Sequence, residues 1–359
     1  MTFRNDDERL LERVEAKARE RAHAGLDGLV GGLESVIINV EPDHIKPAVD
    51  EFLRYTGLDF AEAFQGPERT TCVLGVEGGA DFLLTCRNAG DNPFLPYNDR
   101  PKTRAMPNAR LETFVYTCRD LATYVDIQKK RGIRFLTDDI IRTSEYIFIQ
   151  TCPSPYTGNS LGFVEWLHKE GAYCVEQAKP LEWFFQKPDL PHLKNILELD
   201  HTATRVKAEE RDDAILEFMD LTNYDFDFAV YVKSLNSITN VARMTREDYA
   251  QVFTSGIEPF VDVSSSGPTE KFIHNYGLRV HHMAFRTENI EETYAALGDD
   301  GMEFLVELVG SREDGLKQTF TVGSPHTFLV NEYIHRYDGF DGFFTKSNVT
   351  DLTRATDKQ

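Results

Sequence analysis

Three segments of this 359-residue chain recur later in it at nearly one displacement, and that duplication restricts the fold more than any other feature. EFLRYTGLDF, from Glu51, returns as EFMDLTNYDF, from Glu217, with five of ten positions identical and a displacement of 166. FVYTCRDLATYVDIQKKRGIRFL, from Phe114, matches MAFRTENIEETYAALGDDGMEFL, from Met283, in its apolar pattern and its Gly-x-x-Phe-Leu ending, displaced by 169. EWLHK at Glu165 returns as EYIHR at Glu332, displaced by 167. One such match is within reach of chance; three at one spacing mark an internal repeat. Each copy reads strand, helix, several strands, then the same again, with helices expected near 45–56, 119–131, 207–220 and 289–299.

The expected class is therefore α+β: two tandem modules of paired βαβββ units. An N-terminal helix and linker occupy 1–32, a first module 33–170, a connector 171–196, a second module 197–345 and a polar tail 346–359. Helix 6–24 carries a narrow stripe of Leu10, Leu11, Val14 and Ala18 and ends at Gly25. The following GLDGLVGGL lacks the Gly-Lys-Ser/Thr of a phosphate loop and reads as a joint. The connector's KPLEWFFQKPDLPH holds three prolines, and its aromatics are expected to pack across the joint.

The net charge of -20 is spread along the chain and argues against nucleic acid or an anionic membrane as partner. No run of about 18 apolar residues occurs, and the first twenty residues lack a signal-peptide core, so a cytoplasmic protein is expected. Five scattered cysteines, never in a Cys-x-x-Cys pair, read as reduced thiols.

Chemistry enters through polar residues on apolar strand faces. Side chains two apart share a face. In LRVHHMAF, His282 lies with Leu278, Val280 and Ala284, while alternation turns His281 away with Arg279 and Phe285. In LELDHTATRV, His201 lies with Leu197, Leu199 and Ala203; in HTFLVNEYIHR, Glu332 lies with Phe328, Val330 and Ile334. An ionised carboxylate on an apolar face is costly unless paired or metal-bound, and two imidazoles with one carboxylate suit a divalent transition metal. The first-module counterparts are Ser35, Thr113 and Glu165, so the histidines belong to one copy alone. The expected ligands are His201, His282 and Glu332, with the metal site in the C-terminal module. His335, on the face opposite Glu332, reads as structural.

These motifs resemble those of the vicinal oxygen chelate superfamily, in particular its 4-hydroxyphenylpyruvate dioxygenase and 4-hydroxymandelate synthase branch. The resemblance covers about residues 33–345 and rests on LDHTATRV, VHHMAFRTENI with GMEFL, and FLVNEYIHR followed by GFDGFF. It implies Fe(II) held by the three ligands, a 2-oxo acid and O2 as reactants, oxidative decarboxylation, and a homo-oligomer. It further implies catalytic roles for Gln318 and Ser237, and substrate contacts from Phe320 and from Phe343 or Phe344. The sequence departs from the family where Ile257 replaces an asparagine before Glu-Pro, and where Gly267, Pro268, Thr269 and Glu270 replace a Ser-Gln-x-Gln stretch. Ile257 and Glu270 are thus expected in an altered distal pocket, taking a 2-oxo acid with an aliphatic or unsubstituted aromatic end. An extradiol catechol dioxygenase is the alternative, with Tyr249, Tyr276 or His274 as acid–base partner; a metal-free binding protein is a third reading.

Overall fold

In the computed structural model, which describes residues 3–359, the two copies form two sheets with helices packed against them. The first module contributes β1 (Val30–Asn39), α2 (Ile45–Tyr55), β2 (Asp59–Gln65), β3 (Arg69–Gly75), β4 (Asp81–Arg87) and a short α3 (Leu95–Asn98), after the leading helix α1 (Glu8–Ala24). It continues with β5 (Arg110–Cys118), α4 (Leu121–Lys130), β6 (Ile141–Arg142), β7 (Tyr146–Gln150), β8 (Ser160–Trp166) and, from the connector, β9 (Lys179–Pro180). The second contributes β10 (Ile196–Arg205), α5 (Arg211–Leu221), β11 (Asp225–Val232), β12 (Ser237–Arg243), β13 (Ala250–Ser255), α6 (Pro268–Tyr276), β14 (Arg279–Thr287) and α7 (Ile290–Asp299). β15 (Val309–Ser311), β16 (Leu316–Phe320), β17 (Val330–Arg336) and α8 (Lys346–Ala355) complete it. Strand order is β6-β7-β8-β5-β1-β4-β3-β2-β9 in one sheet and β11-β12-β13-β10-β14-β17-β16-β15 in the other. Each sheet is built around an antiparallel pair, β1 with β5 or β10 with β14, flanked on both sides by parallel neighbours.

This is the α+β, two-module architecture expected from the repeat, and its four repeat helices fall where the apolar period placed them. Helix α2 shows why: Ile45, Ala48, Val49, Phe52 and Leu53 recur at three- and four-residue spacing and are buried as one face. Among the described residues no helix is long and apolar enough to cross a membrane. In the connector, Phe185 packs on Phe60 at 5.3 Å, whereas Phe184 is 84% exposed and packs across nothing.

The modules hold each other through matched contacts. Glu51 of α2 accepts a hydrogen bond from Ser324 in the second module at 2.6 Å, and its repeat counterpart Glu217 of α5 accepts one from Ser154 in the first. Both serines open a Ser-Pro pair. Arg110 of β5 donates to the Leu278 carbonyl at 2.7 Å, and its counterpart Arg279 of β14 donates to the Ala109 carbonyl at 2.6 Å. The modules are therefore related by an approximate twofold exchange.

Burial pushes the Glu217 carboxyl up to about 7, against the Ser154 hydrogen bond that lowers it. The folded chain then holds a proton there that the unfolded chain has already released, so stability falls as pH rises from about 4.5 to about 7. Glu217→Gln should leave stability unchanged near pH 4 and raise it at pH 8, by up to about 3 kcal/mol. Denaturant titrations at the two pH values check this; equal effects at both would show that the carboxyl ionises as freely folded as unfolded.

Candidate metal centre

His201 on β10, His282 on β14 and Glu332 on β17 stand on three adjacent strands, and strand register brings them level: His201 and Glu332 both pair with Ala284. All three are buried, and one ligand atom from each lies within 4.8 Å of the others. The Nε2 atoms of both histidines are 3.2 Å from the same carboxylate oxygen, Oε2 of Glu332. His201 Nε2 nevertheless has no partner in hydrogen-bond geometry. A buried ring nitrogen aimed at a carboxylate and a second imidazole, yet unpartnered, fits a divalent transition ion bound on one face of the site.

Surrounding groups fix the rings. Asp200 accepts from His201 Nδ1 at 2.7 Å and is itself paired with Arg336 at 2.5 Å, which turns Nε2 to the site. Burial would pull the His201 ring down, but Glu332 and Asp200 outweigh it and lift the ring to about 9. That proton must leave when a metal binds. Glu332 Oε1 accepts from Gln318 Nε2 at 2.5 Å, and Gln318 Oε1 accepts from Asn348 Nδ2 at 3.1 Å. Phe343 and Phe344 pack on the His201 ring, with centroids at 5.5 and 5.2 Å.

His281 departs from the alternation read in the sequence. On β10, Ala203 pairs with His282 and the next residue, Thr204, with Val280, so His281 is the extra residue of a β-bulge. The bulge breaks strict alternation, and His281, fully buried, lies with Nδ1 at 2.7 Å from His282 Nδ1 and Nε2 at 2.7 Å from Gln359 Oε1. Since an amide oxygen only accepts, His281 carries its proton on Nε2, its Nδ1 accepts from His282 Nδ1–H, and His282 Nε2 is left bare for a metal. Burial, followed by the charge of Arg205, holds His281 well below the ordinary histidine range and so neutral. His281, expected to turn away, is thus placed to orient the His282 ring. Gln359→Glu keeps an acceptor and should preserve metal affinity. Gln359→Lys offers a donor, reverses both tautomers and should weaken metal binding by about 10-fold or more. Equal affinity of the two variants, measured by competition with a chelating dye, would refute the relay.

The remaining expected residues divide. Phe320, Gln318 and Phe344 line a cavity of about 40 Å³ beside the triad, together with Arg205, Thr239, Val252 and Thr254. Val349, Leu352 and Thr353 of α8 close it. The segment read as a polar tail is therefore a helix with a buried face, capped by the Thr345 side chain on the Asn348 N–H. Phe343 lines a separate, wider groove with Asp200, Arg243 and Arg336. Ser237 stands one step behind the cavity, its hydroxyl 3.3 Å from that of Thr269.

Two expectations are corrected. Ile257 is buried away from the cavity, and the Glu270 carboxylate is consumed by the backbone N–H groups of Gly256 and Ala208, at 2.9 and 3.1 Å, so neither faces a ligand. The acid–base partners of the catechol reading lie elsewhere too: Tyr249 bonds Thr202 and Gln251, Tyr276 stacks on Phe272 and His274 on Phe260. Arg205, which no sequence motif singles out, also lines the cavity. Its place four residues after His201, on the same face by alternation, was the available signal.

Two tandem modules of paired βαβββ units make up the fold, and solved structures share it. Among solved structures, a mutant of 4-hydroxymandelate synthase from Streptomyces coelicolor superposes with a TM-score of 0.68 at 18% identity, covering 92% of this chain and 98% of that one. A xylose isomerase-like TIM barrel/4-hydroxyphenylpyruvate dioxygenase fusion protein gives 0.63 at 14% identity, over 96% of this chain and 57% of the fusion. No protein-family model matches the sequence, and no curated protein matches it by sequence comparison.

Proposed function

We propose that this protein is a non-haem Fe(II)-dependent dioxygenase that oxidatively decarboxylates a 2-oxo acid. The convergence of His201, His282 and Glu332 to within 4.8 Å, in a fold shared with 4-hydroxymandelate synthase, carries the reading. His201, His282 and Glu332 would hold the Fe(II), which would supply open positions for the 2-oxo acid and O2; loss of CO2 would give two of the four electrons O2 requires, and insertion of the second oxygen atom into the substrate the other two.

The chain's own residues prepare for that chemistry. Asp200 holds the His201 ring through Nδ1 with Nε2 turned to the site, His281 fixes the His282 ring in the same way, and Gln318 holds Oε1 of Glu332 and leaves Oε2 for the ion. Phe320, Phe344, Val349 and Leu352 exclude water from the cavity, so that a substrate bound there sits in a low dielectric.

The test is oxygen consumption and CO2 release by the Fe(II)-loaded protein with a panel of 2-oxo acids and a panel of catechols. Equimolar O2 uptake and CO2 release with a 2-oxo acid is the expected result. Uptake with catechols alone, without CO2, would overturn the assignment in favour of ring cleavage.

A further inference from the structure

Arg205 ends β10, four residues beyond His201 and on the same face, so its Cα lies about 13 Å along the strand from that of the ligand. Its side chain lines the cavity that His282, Gln318 and Glu332 also line, and the residue is only 3% exposed. A guanidinium so buried ordinarily meets a carboxylate in a paired, bidentate arrangement. Among the described residues Arg205 has no ion-pair partner; Nη1 donates to the Thr269 hydroxyl at 2.7 Å, and Nε has no partner at all. Glu270, the nearby acid, accepts from two backbone N–H groups on Oε1 and acts on Arg205 only through space, outside ion-pair distance. Directly across the ladder, Thr254 is the register partner of Arg205. It lines the same cavity, is buried, and its hydroxyl is also unpartnered.

Two orphaned donors, one cationic, therefore sit on register-paired residues in the cavity that His282 and Glu332 also line. A buried charge without a counter-ion is costly, and buried polar groups are nearly always satisfied. Both requirements are met at once by an anionic group on the ligand. Val252, Phe320, Phe344, Val349 and Leu352 give the cavity apolar walls that suit a methylene chain, while Arg205, Thr239 and Thr254 supply the polar groups that a purely aliphatic or aromatic ending would leave unanswered.

We infer that Arg205 and Thr254 bind a second carboxylate at the distal end of the substrate, which makes the substrate a dicarboxylic 2-oxo acid. The inference rests on the 2-oxo acid reading above and adds its side chain. A chelated head at the triad and a carboxylate on Arg205 would bridge the site from end to end, fixing chain length as well as charge.

The experiment has two arms. In the first, the Fe(II)-loaded protein is assayed with 2-oxoglutarate and 2-oxoadipate against 2-oxopentanoate, 4-methyl-2-oxopentanoate, phenylpyruvate and 4-hydroxyphenylpyruvate. A kcat/KM at least about 30-fold higher for one of the diacids is expected, and Arg205→Met should erase that preference mainly through the KM of the diacid. In the second, metal-free protein is titrated with glutarate and with butyrate while its thermal unfolding is followed. Glutarate should raise the unfolding midpoint of wild type and not of Arg205→Met, and butyrate should raise it less. Without ligand, Arg205→Met should unfold at or above the wild-type temperature, since an unpaired buried charge has been removed; a large fall there would assign Arg205 a structural role and overturn the inference. Equal or better turnover of the monoacids would overturn it while leaving the 2-oxo acid reading intact. Failure of every 2-oxo acid, with no glutarate shift, would remove both.

Discussion

His201→Ala, His282→Ala and Glu332→Ala should each lose stoichiometric Fe(II) binding and reduce turnover to background, with far-ultraviolet circular dichroism unchanged. The expectation of an intact fold follows from the position of the triad: His282 and Glu332 line a cavity, and none of the three residues belongs to the main apolar core, so truncation does not unpack it. The expectation of total loss follows from geometry. Two remaining ligands hold a divalent ion on one edge only, and the carboxylate oxygen that both histidines share at 3.2 Å is the point on which the set converges. Elemental analysis after dialysis measures it. Full iron content in His282→Ala would show that the ion binds elsewhere.

The second large effect is expected at Asp200, which touches no substrate. Its carboxylate joins His201 to Arg336 inside the protein; Arg336 lowers it and secures its charge, against burial that would raise it. Asp200→Ala frees the His201 ring to turn and leaves the guanidinium of Arg336 without its counter-charge, stacked on Phe343 at 4.5 Å. Metal affinity should fall about 10- to 100-fold, and stability by about 3 kcal/mol. Arg336→Met separates the two consequences: it keeps Asp200 on His201, so stability should drop while metal affinity falls much less. Matching losses of affinity in the two variants would mean that general destabilisation, and not orientation of the ring, governs the site.

The triad could be read from the sequence because its three residues are polar interruptions of apolar strand faces, and because the repeat supplied an internal control in Ser35, Thr113 and Glu165. The same periodicity misplaced His281. One residue inserted into β14 cancels alternation locally, and nothing in VHHMAF announces the bulge. The distal pocket was misassigned for a different reason. Ile257 and Glu270 were placed by correspondence with a family motif, yet the Glu270 carboxylate satisfies the chain's own N–H groups at a turn, a destination that only tertiary structure sets. Residues 346–359 looked polar because the inward face of α8 carries Asn348 and Thr353 as well as Val349 and Leu352. Its polar members are there to reach Gln318 and the cavity, so the usual contrast between wet and dry helix faces is muted.

The exchanged contacts between the modules have a bearing on ancestry. When Glu51 reaches Ser324 while Glu217 reaches Ser154, and Arg110 grips Leu278 while Arg279 grips Ala109, each half offers the other the same hook and the same eye. Self-complementary surfaces of that kind belong to a homodimer, and a gene fusion converts such a dimer into one chain without altering the interface. Once fused, the two copies were free to diverge. Glu165 now receives the backbone N–H of Leu121 and Thr113 the amide of Gln150, where the other copy assembles a metal site. Covalent continuity through the proline-bearing segment 171–196 is then a historical convenience, and a chain nicked there by protease should remain one folded particle under native conditions.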